Sequence, residues 1–246
     1  MSPNEPIRIA KVMAARGLCS RREAERLIAC GGVYVEGEQV VAPGTRIDPD
    51  ATITLDESAR KQLREKVTVL LHKPIGVVSG QPEKGYVAAV SLITPENRHE
   101  GDRTPLTLQA SHLEGLAAAG RLDIDSHGLL VLTQDGVVAR RLIGSATKVE
   151  KEYLVRFEGE LTAENLRLLN HGLYLDDKPL KPARVVRLNE NQLMFTLREG
   201  RKRQIRRMCE QVGLSVVRLK RTRIGNVMLA DLPYGKWRFL AHHEQF

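Results

Sequence analysis

Asp123 and Arg121 lie two residues apart in a glycine-bounded segment that runs into an apolar stretch. A neighbouring guanidinium favours the ionised carboxylate and lowers its pKa. Such a carboxylate can act as a nucleophile or an electrostatic stabiliser. The apolar stretch, residues 129–132, predicts a short buried strand, so we expect Asp123 on the loop that leads into it. The alternative is that the two charges only fasten this loop, because ion pairs on loops are common.

Composition limits the kind of protein that can carry this segment. The chain has 246 residues, of which 42% are hydrophobic and 28% charged, which predicts a globular protein with one large and one small domain. The net charge of +8 favours a polyanionic partner, either nucleic acid or an acidic membrane surface. There is no apolar run of 18 residues, and the N-terminus has no signal-peptide pattern, so we expect a cytoplasmic protein without a membrane span.

The three cysteines, Cys19, Cys30 and Cys209, are odd in number and widely spaced. They form no Cys-x-x-Cys pair and have no histidine at ligand spacing. We therefore expect buried free thiols rather than a disulfide framework or a structural zinc site. The sequence also has no glycine-rich phosphate loop, and no metal or cofactor is expected.

The first part of the chain reads as a small helical module. Ile9, Val12 and Met13 recur at helical spacing and predict one helix. Ser20 and Glu23 match a capping box, which predicts the start of a second helix. A hairpin and a further strand are expected to follow at residues 33–41 and 53–55.

Charge and polarity suggest where this module ends. Between residues 8 and 26, six Lys or Arg residues stand against two Glu, so the positive surface is expected on the helices. The segment around residues 59–66 is polar and has no strong apolar pattern. The predicted division is a domain at residues 1–58, a linker at 59–66 and a larger domain at 67–246.

The larger domain is predicted to be built mainly from strands. Residues 81–109 are rich in turn formers and predict a long surface loop. Strands are predicted at residues 67–71, 129–132, 151–157, 185–188 and 192–197, with helices at residues 137–143 and after Thr162. This order predicts an α+β fold with a mixed, mainly antiparallel sheet flanked by helices.

The segment from Arg198 to Arg223 carries ten Lys or Arg residues and only two Glu. This local excess equals the net charge of the chain, so nucleic-acid binding is expected to centre here. An apolar helical stripe that includes Ile205 runs through the segment, and Arg206 is placed to face the sheet as a catalytic or ion-pairing residue. The alternative is a polybasic patch for membranes or nonspecific binding, which usually has an accompanying aromatic face.

Residues 8–55 also resemble a known module. The segment Gly17-Leu18-Cys19-Ser20-Arg21-Arg22-Glu23-Ala24 lies between two helices, and a Gly-x-Val-x-Val hairpin follows. This arrangement is similar to the S4 RNA-binding domain. The resemblance implies RNA-phosphate contacts by exposed basic residues: Lys11, Arg16, Arg21, Arg22 and Arg26.

Five motifs of the larger domain carry a second resemblance. They are His72-Lys73-Pro74-Ile75-Gly76, Gly120-Arg121-Leu122-Asp123-x-x-Ser126-x-Gly128-Leu129-Leu130, Lys151-Glu152-Tyr153, Glu199-Gly200-Arg201-Lys202-Arg203-Gln204-Ile205-Arg206-Arg207-Met208 and Leu219-x-Arg221-x-x-Ile224-Gly225. Together they resemble the RsuA/RluB/RluE/RluF family of ribosomal RNA pseudouridine synthases. The C-terminal residues are most similar to the branch that modifies the large subunit.

This resemblance implies a role for each matched residue. Asp123 would be the catalytic aspartate, Arg206 its ion-pair partner, and Arg121 a residue that contacts the substrate. Tyr153 would stack on the target base, above an apolar floor at Ile205. Further RNA contacts would come from the basic segment: Arg201, Lys202, Arg203 and Arg207.

The implied reaction is the isomerisation of a flipped-out uridine in ribosomal RNA, most specifically in 23S rRNA. It needs no cofactor. We expect a monomer that acts on ribosomal RNA or a pre-ribosomal particle. Whether the aspartate attacks C1′ or abstracts a proton is open. The chain departs from the family at Ala117-Ala118-Ala119, before the motif, and at the long insert of residues 81–109.

Two other functions stay open at this point. The first is an S4-type RNA-binding protein that acts in ribosome assembly, with a catalytically idle second domain. The second is a glycoside- or nucleoside-cleaving hydrolase, in which Asp125 would cooperate with Asp123 as the second carboxylate.

Overall fold

The computed structural model describes residues 5–82, 85–144 and 147–246. These ranges form an α+β structure with a small N-terminal unit and a larger unit built on a mixed, mostly antiparallel sheet. Residues 1–4, on which the signal-peptide prediction depends, lie outside the described ranges. No helix within those ranges is both long and apolar enough to span a bilayer.

The N-terminal unit combines three helices with a two-stranded and a three-stranded sheet. The predicted capping box is confirmed, since Ser20 N donates to Glu23 Oε2 (2.6 Å) and Glu23 N donates to Ser20 Oγ (3.3 Å). Apolar side chains from the helices and the strands form one core. The elements are β1 (Ile7–Arg8), α1 (Ile9–Ala15), α2 (Arg21–Ala29), β2 (Val33–Val35), β3 (Glu38–Val40), β4 (Arg46–Ile47), β5 (Ile53–Leu55) and α3 (Glu57–Arg64).

The segment expected to be a linker, residues 59–66, belongs mostly to α3. The helix begins where Asp56 Oδ1 accepts a hydrogen bond from Ala59 N (2.7 Å). Ala59 and Leu63, one helical turn apart, pack onto the core of the N-terminal unit. Through these two apolar residues, the otherwise polar segment packs on the small unit.

The larger unit is organised around one sheet. Its strands follow the order β14-β15-β11-β16-β10-β6-β18, with β9 beside β10 and β17 beside β16. The strands are β6 (Thr68–Lys73), β7 (Val77–Val78), β8 (Val87–Ala88), β9 (Ala117–Ala118), β10 (His127–Thr133), β11 (Lys151–Glu158), β12 (Tyr174–Leu175), β13 (Lys178–Pro179), β14 (Arg184–Asn189), β15 (Gln192–Leu197), β16 (Ser215–Ile224), β17 (Val227–Met228) and β18 (Trp237–Phe239). The helices are α4 (Ala110–Leu113), α5 (Gly136–Ile143), α6 (Ala163–Asn170) and α7 (Gln204–Gln211).

Both faces of this sheet are covered. Side chains alternate along β10, so Leu130 and Leu132 enter the core that includes α7, whereas Leu129 and Val131 enter a second core that includes α5. The continuous apolar run that predicted β10 is explained by this burial on both faces.

The central pair, β10 and β16, is parallel and very short, with Gly128 paired to Arg221. Gly128 has φ +113°, and a Cβ atom there would lie 2.3 Å from Arg221 O. Only glycine therefore allows the two strands to meet at this point. The loop that carries Asp123 enters the sheet beside this contact.

The predicted surface loop, residues 81–109, is only partly a surface feature. Within its described residues the chain forms β8 and two short 3₁₀ turns, Ala89–Leu92 and Pro95–Asn97. Ala89 and Ile93 are buried, and Trp237 Nε1 donates to Thr94 O (2.7 Å). Apolar anchors without helical or strand periodicity hold this segment, so its packing was not apparent from pattern.

The contacts between the two units include a largely buried cation, Lys66, and an arginine, Arg140. Lys66 Nζ forms an ion pair with Glu23 of the small unit and lies 3.9 Å from Asp135 Oδ1 of the large unit. Arg140 Nη1 donates to Ala14 O (3.2 Å). A cleft of about 1270 Å³ opens beside these contacts.

The cysteines are free, and two of the three follow the prediction. Burial raises the pKa of Cys19 to about 11 and that of Cys209 to about 12, so both are protonated, weakly reactive thiols at neutral pH. The prediction of burial is wrong for Cys30, which is exposed because it lies at the C-terminal end of α2.

Candidate active site and RNA-contacting surfaces

Asp123 lies on the loop between β9 and β10, as predicted, and its side chain is partly exposed. Hydrogen bonds fix the backbone on both sides of it. Ser79 Oγ accepts from Leu122 N (2.9 Å) and donates to Leu122 O (2.7 Å). Gly76 N donates to Ile124 O (2.8 Å). The carboxylate is thus carried by a rigid loop and remains open on one side.

Arg206 reaches this loop from α7, but its ion pair differs from the expected one. Its Nε lies 3.3 Å from Asp125 Oδ2, and its Nη2 donates to Asp125 O (2.9 Å). Its Nη1 donates to Val216 O (3.0 Å). The prediction that Arg206 pairs with Asp123 is therefore corrected, because these contacts direct the guanidinium to the residue two positions later.

Asp125 is held by a second arginine as well. Arg203 Nη2 donates to Asp125 Oδ2 (3.1 Å). Although partial burial opposes it, this hydrogen bond and the charge of Arg206 lower the pKa of Asp125. A hydrolase of the two-carboxylate type needs an acid whose pKa is raised. Asp125 therefore does not fit the general acid of such an enzyme.

An aromatic and an apolar side chain share a hydrophobic core with Leu122 of the loop. Tyr153 of β11 and Ile205 of α7 belong to the same core and are 8% and 5% exposed. The guanidinium of Arg221, which is opposite Tyr153 in the sheet, lies 6.0 Å from the centre of its ring. Strand and helix thus place the two predicted residues in the core that also holds Leu122, the residue before Asp123.

Arg221 is a buried part of the site to which we had assigned no role. Its Nε donates to Leu129 O (2.7 Å) and its Nη1 donates to Arg121 O (3.3 Å). Arg221 therefore ties the start of the Asp123 loop to the sheet. Arg121 itself is exposed, which leaves its side chain available to a substrate.

Lys73 is a second buried cation that was not expected. It is completely buried, and its Nζ donates to Pro74 O (2.8 Å) and Val77 O (2.7 Å). Burial lowers the pKa of Lys73 to about 8, and the charges of Asp123 and Asp125 oppose that effect. Lys73 is therefore close enough to Asp123 to act on it electrostatically. Its only sequence signal was its place in a family motif.

The four basic residues predicted to contact RNA in the segment 201–207 differ in availability. Arg201 is engaged by the protein, since its guanidinium donates to Leu175 O (2.7 Å), Lys178 O (3.1 Å) and Pro179 O (2.6 Å). These bonds direct the Arg201 guanidinium toward the protein, and an RNA contact at Arg201 stays a prediction. Arg207 pairs with Asp176 (2.7 Å), Arg203 with Asp125, and Lys202 is exposed.

The basic residues of the N-terminal unit are placed as expected. All five are exposed: Lys11, Arg16, Arg21, Arg22 and Arg26. Lys11 and Arg21 also line the cleft between the two units, together with Arg140, Arg141, Lys148 and Arg223 from the larger unit. Glu150 is the one acidic residue among the described residues that line it. The cleft is therefore strongly positive.

Comparison with known proteins agrees with this arrangement. Residues 67–211 match the family model described as RNA pseudouridylate synthase, and residues 7–53 match the S4 domain. The chain is 32% identical to the dual-specificity RNA pseudouridine synthase RluF of Escherichia coli K12, over 99% of this chain and 79% of RluF. It is 33% identical to the putative ribosomal large subunit pseudouridine synthase SVR1 of Arabidopsis thaliana, over 94% of this chain and 58% of SVR1.

The fold is also found in a solved structure. A crystal structure of a pseudouridylate synthase superposes with a TM-score of 0.65 at 27% identity and covers 96% of each chain. Asp123, Tyr153 and Arg206 all lie within the range matched by the family model. The chain therefore belongs to the RNA pseudouridylate synthase family and carries an S4 domain at its N-terminus.

Proposed function

We propose that this protein converts a specific uridine of ribosomal RNA to pseudouridine, with Asp123 as the catalytic carboxylate. The observation that carries the proposal is the setting of Asp123, which is partly exposed on a loop fixed at Leu122 and Ile124. Tyr153 and Ile205 share a core with Leu122 of that loop, and Lys73 interacts electrostatically with Asp123.

The chemistry needs only groups that this chain supplies. The bond between N1 and C1′ breaks, the uracil turns, and C5 bonds to C1′. The proton on C5 is released, N1 ends with a proton, and no electrons are gained or lost overall. An ionised Asp123 either attacks C1′ or abstracts a proton from the sugar, and both routes return the carboxylate unchanged.

The surrounding residues position the substrate. The target uridine must leave its stack, which costs a few kcal/mol and can be offset by contacts in the pocket. The Tyr153 ring and Ile205 provide an apolar surface for the base, and the exposed Arg121 can contact the RNA backbone. Arg206 acts through Asp125, since its ion pair fixes the loop two residues after Asp123.

The target we propose lies in the large-subunit 23S rRNA. SVR1, which aligns with 94% of this chain, is named for the large ribosomal subunit. The exposed basic residues of the S4 domain and the positive cleft beside it suit the phosphates of a structured RNA. We propose that the protein acts as a monomer in the cytoplasm, on free rRNA or an assembling particle.

The test is tritium release from ribosomal RNA that contains 5-tritiated uridine. Asp123→Asn keeps the shape of the side chain and should lower release on the order of a thousandfold or more, as for loss of a catalytic nucleophile. Asp177→Asn is the matched control, because Asp177 is an exposed aspartate that is distant from Asp123 in the sequence. Its activity should equal that of the wild type.

Other outcomes would contradict the proposal. Retained release by the Asp123→Asn variant would remove Asp123 from the mechanism. Free uracil as the product would indicate a hydrolase. Salt-sensitive RNA binding without any tritium release would indicate an RNA-binding protein with an idle second domain.

A further inference from the structure

A second aromatic side chain, Tyr234, lies near the candidate active site. It is on the turn that leads into β18, and 53% of its side chain is exposed. Its hydroxyl accepts a hydrogen bond from Ile75 N (2.6 Å). An exposed ring that is anchored at its polar end can present its faces to a ligand.

The backbone holds this turn firmly. His72 N donates to Lys236 O (3.0 Å), and Gly235 N donates to His72 O (3.0 Å). Tyr234 therefore lies on a turn that is fixed to β6 from both sides. Little side-chain entropy would be lost when a ligand packs on a ring that is already held in place.

The same contacts connect the ring to the catalytic loop. Ile75 binds the Tyr234 hydroxyl, and the next residue, Gly76, donates to Ile124 O (2.8 Å). Ile124 directly follows Asp123. The turn with Tyr234 is thus joined to the loop of Asp123 by two hydrogen bonds from adjacent residues.

Two histidines pack against the Tyr234 ring, His72 edge-on and His127 tilted. The ring centres of His72 and His127 are 5.2 Å and 5.8 Å from that of Tyr234, and the histidines stack on each other at 5.7 Å. His72 Nδ1 donates to Leu232 O (2.8 Å), which leaves its Nε2 as an acceptor facing His127 Nδ1 (3.4 Å). Burial and the neighbouring cations lower the pKa of His127 to about 4, so the pair is neutral at neutral pH.

Two cations lie on the same face of the sheet as His127, which is paired with Lys220 in register. Arg218 and Lys220 alternate with the core residues Leu219 and Arg221 along β16, and both act electrostatically on His127. Neither side chain has a hydrogen bond or an ion pair with another described residue, and Arg218 is exposed. Both are therefore available to bind phosphate groups.

We propose that Tyr234 is a stacking site for a nucleobase that flanks the target uridine, with Arg218 and Lys220 on the phosphates of the same RNA strand. The inference rests on the proposed function and adds a binding subsite outside the catalytic pocket. An anchored aromatic ring next to unpaired cations is the combination that single-stranded RNA requires. Tyr234 contacts no reacting atom and acts through substrate binding alone.

The experiment compares tritium release by three variants with that of the wild-type protein. Tyr234→Leu removes the ring and should raise KM about tenfold, as expected for the loss of one base–aromatic stack, with kcat unchanged. Tyr234→Phe keeps the ring and loses only the hydroxyl, so its KM should stay close to that of the wild type. Tyr174→Leu is the matched control, because Tyr174 is 58% exposed on β12, and it should have no effect.

Two results would overturn the inference. An unchanged KM in Tyr234→Leu would show that no base stacks there. An equal rise in Tyr234→Phe and Tyr234→Leu would assign the effect to the hydrogen bond with Ile75 instead of the ring.

Photocross-linking separates this inference from the proposed function. Ribosomal RNA that contains 4-thiouridine should cross-link to the peptide with Tyr234 in the wild type, and much less in Tyr234→Leu. A cross-link without tritium release would support the stacking site and contradict the proposed function. Tritium release without a cross-link at Tyr234 would support the proposed function and contradict the stacking site.

Discussion

Two sets of arginines with similar sequence environments differ in what they bind. In the N-terminal unit, Arg21, Arg22 and Arg26 point into solvent. In the segment 201–207, Arg201 is bound to backbone carbonyls, and Arg206 is bound to Asp125. A dense run of basic residues can therefore either bind RNA or hold loops of the protein in place. Whether the side chains are exposed or bound to the protein distinguishes the two cases.

The difference has a physical cause. Within the described part of the chain, Arg21, Arg22 and Arg26 of α2 donate to no other residue, so they stay hydrated and are free for phosphates. Arginines around α7 lie next to loops with unpaired carbonyls, and the planar guanidinium can satisfy several of these at once. Substitutions of the exposed arginines should therefore weaken RNA binding. Substitutions of the arginines around α7 should lower kcat or stability.

The largest effect is expected at Arg206. Arg206→Met should lower kcat on the order of a hundredfold, because a shift of the loop by about 1 Å misplaces Asp123. RNA affinity and its salt dependence should hardly change. Lys202→Met, an exposed control in the same segment, should leave kcat intact, and equal losses of kcat in both variants would break the comparison.

His127 should make the stability of the fold depend on pH, because its burial lowers the pKa of its imidazole and nearby cations add to that effect. Its pKa of about 4 in the folded state is below the ordinary value of 6.5, so the unfolded chain binds a proton first. Stability that is present above pH 6.5 should be lost as the pH falls toward 4, by up to about 3 kcal/mol. Buried His72 and the cations Lys220, Arg218 and Lys73 contribute to this shift.

Urea unfolding at a series of pH values measures the loss. In His127→Phe the free energy of unfolding should fall less steeply over this range, whereas His242→Phe, at an exposed histidine, should follow the wild type. Parallel curves for His127→Phe and the wild type would show that His127 does not carry the effect.

A smaller loss of stability is expected at Arg201. Arg201→Met removes the donors to three carbonyls and should lower the free energy of unfolding by about 1–2 kcal/mol, since the carbonyl of buried Leu175 loses its partner. The slope of RNA affinity against salt should stay unchanged. A lower slope at full stability would return Arg201 to the RNA surface.

These cases show which features a single sequence reveals. Local signals were sufficient for the Ser20 capping box, the Thr162 cap and the buried strand β10, because each depends on residues close in sequence. Contacts between distant segments were not apparent. The Ser79 clamp on Leu122 spans 43 residues, and the Arg206 contact with Asp125 spans about 80. No periodicity records such pairings, which are set by the topology of the sheet.

The smallest effect is expected on the S4 surface. Arg22→Gln should reduce the slope of log affinity against log salt by roughly 0.7 to 0.9, as for one phosphate contact, without changing stability. Arg60→Gln, at an exposed position of α3 outside the predicted set, is the control. Equal slopes for Arg22→Gln and the wild type would place the RNA elsewhere on the unit.

Glu23 connects two events that would otherwise be independent. One of its carboxylate oxygens closes the first turn of α2 with Ser20, while the other meets Lys66 at the boundary with the larger unit. The helix that carries the exposed arginines is thus started by the same group that contacts the larger unit through Lys66. Grafting this domain onto another enzyme would require that enzyme to supply its own counterpart to Lys66.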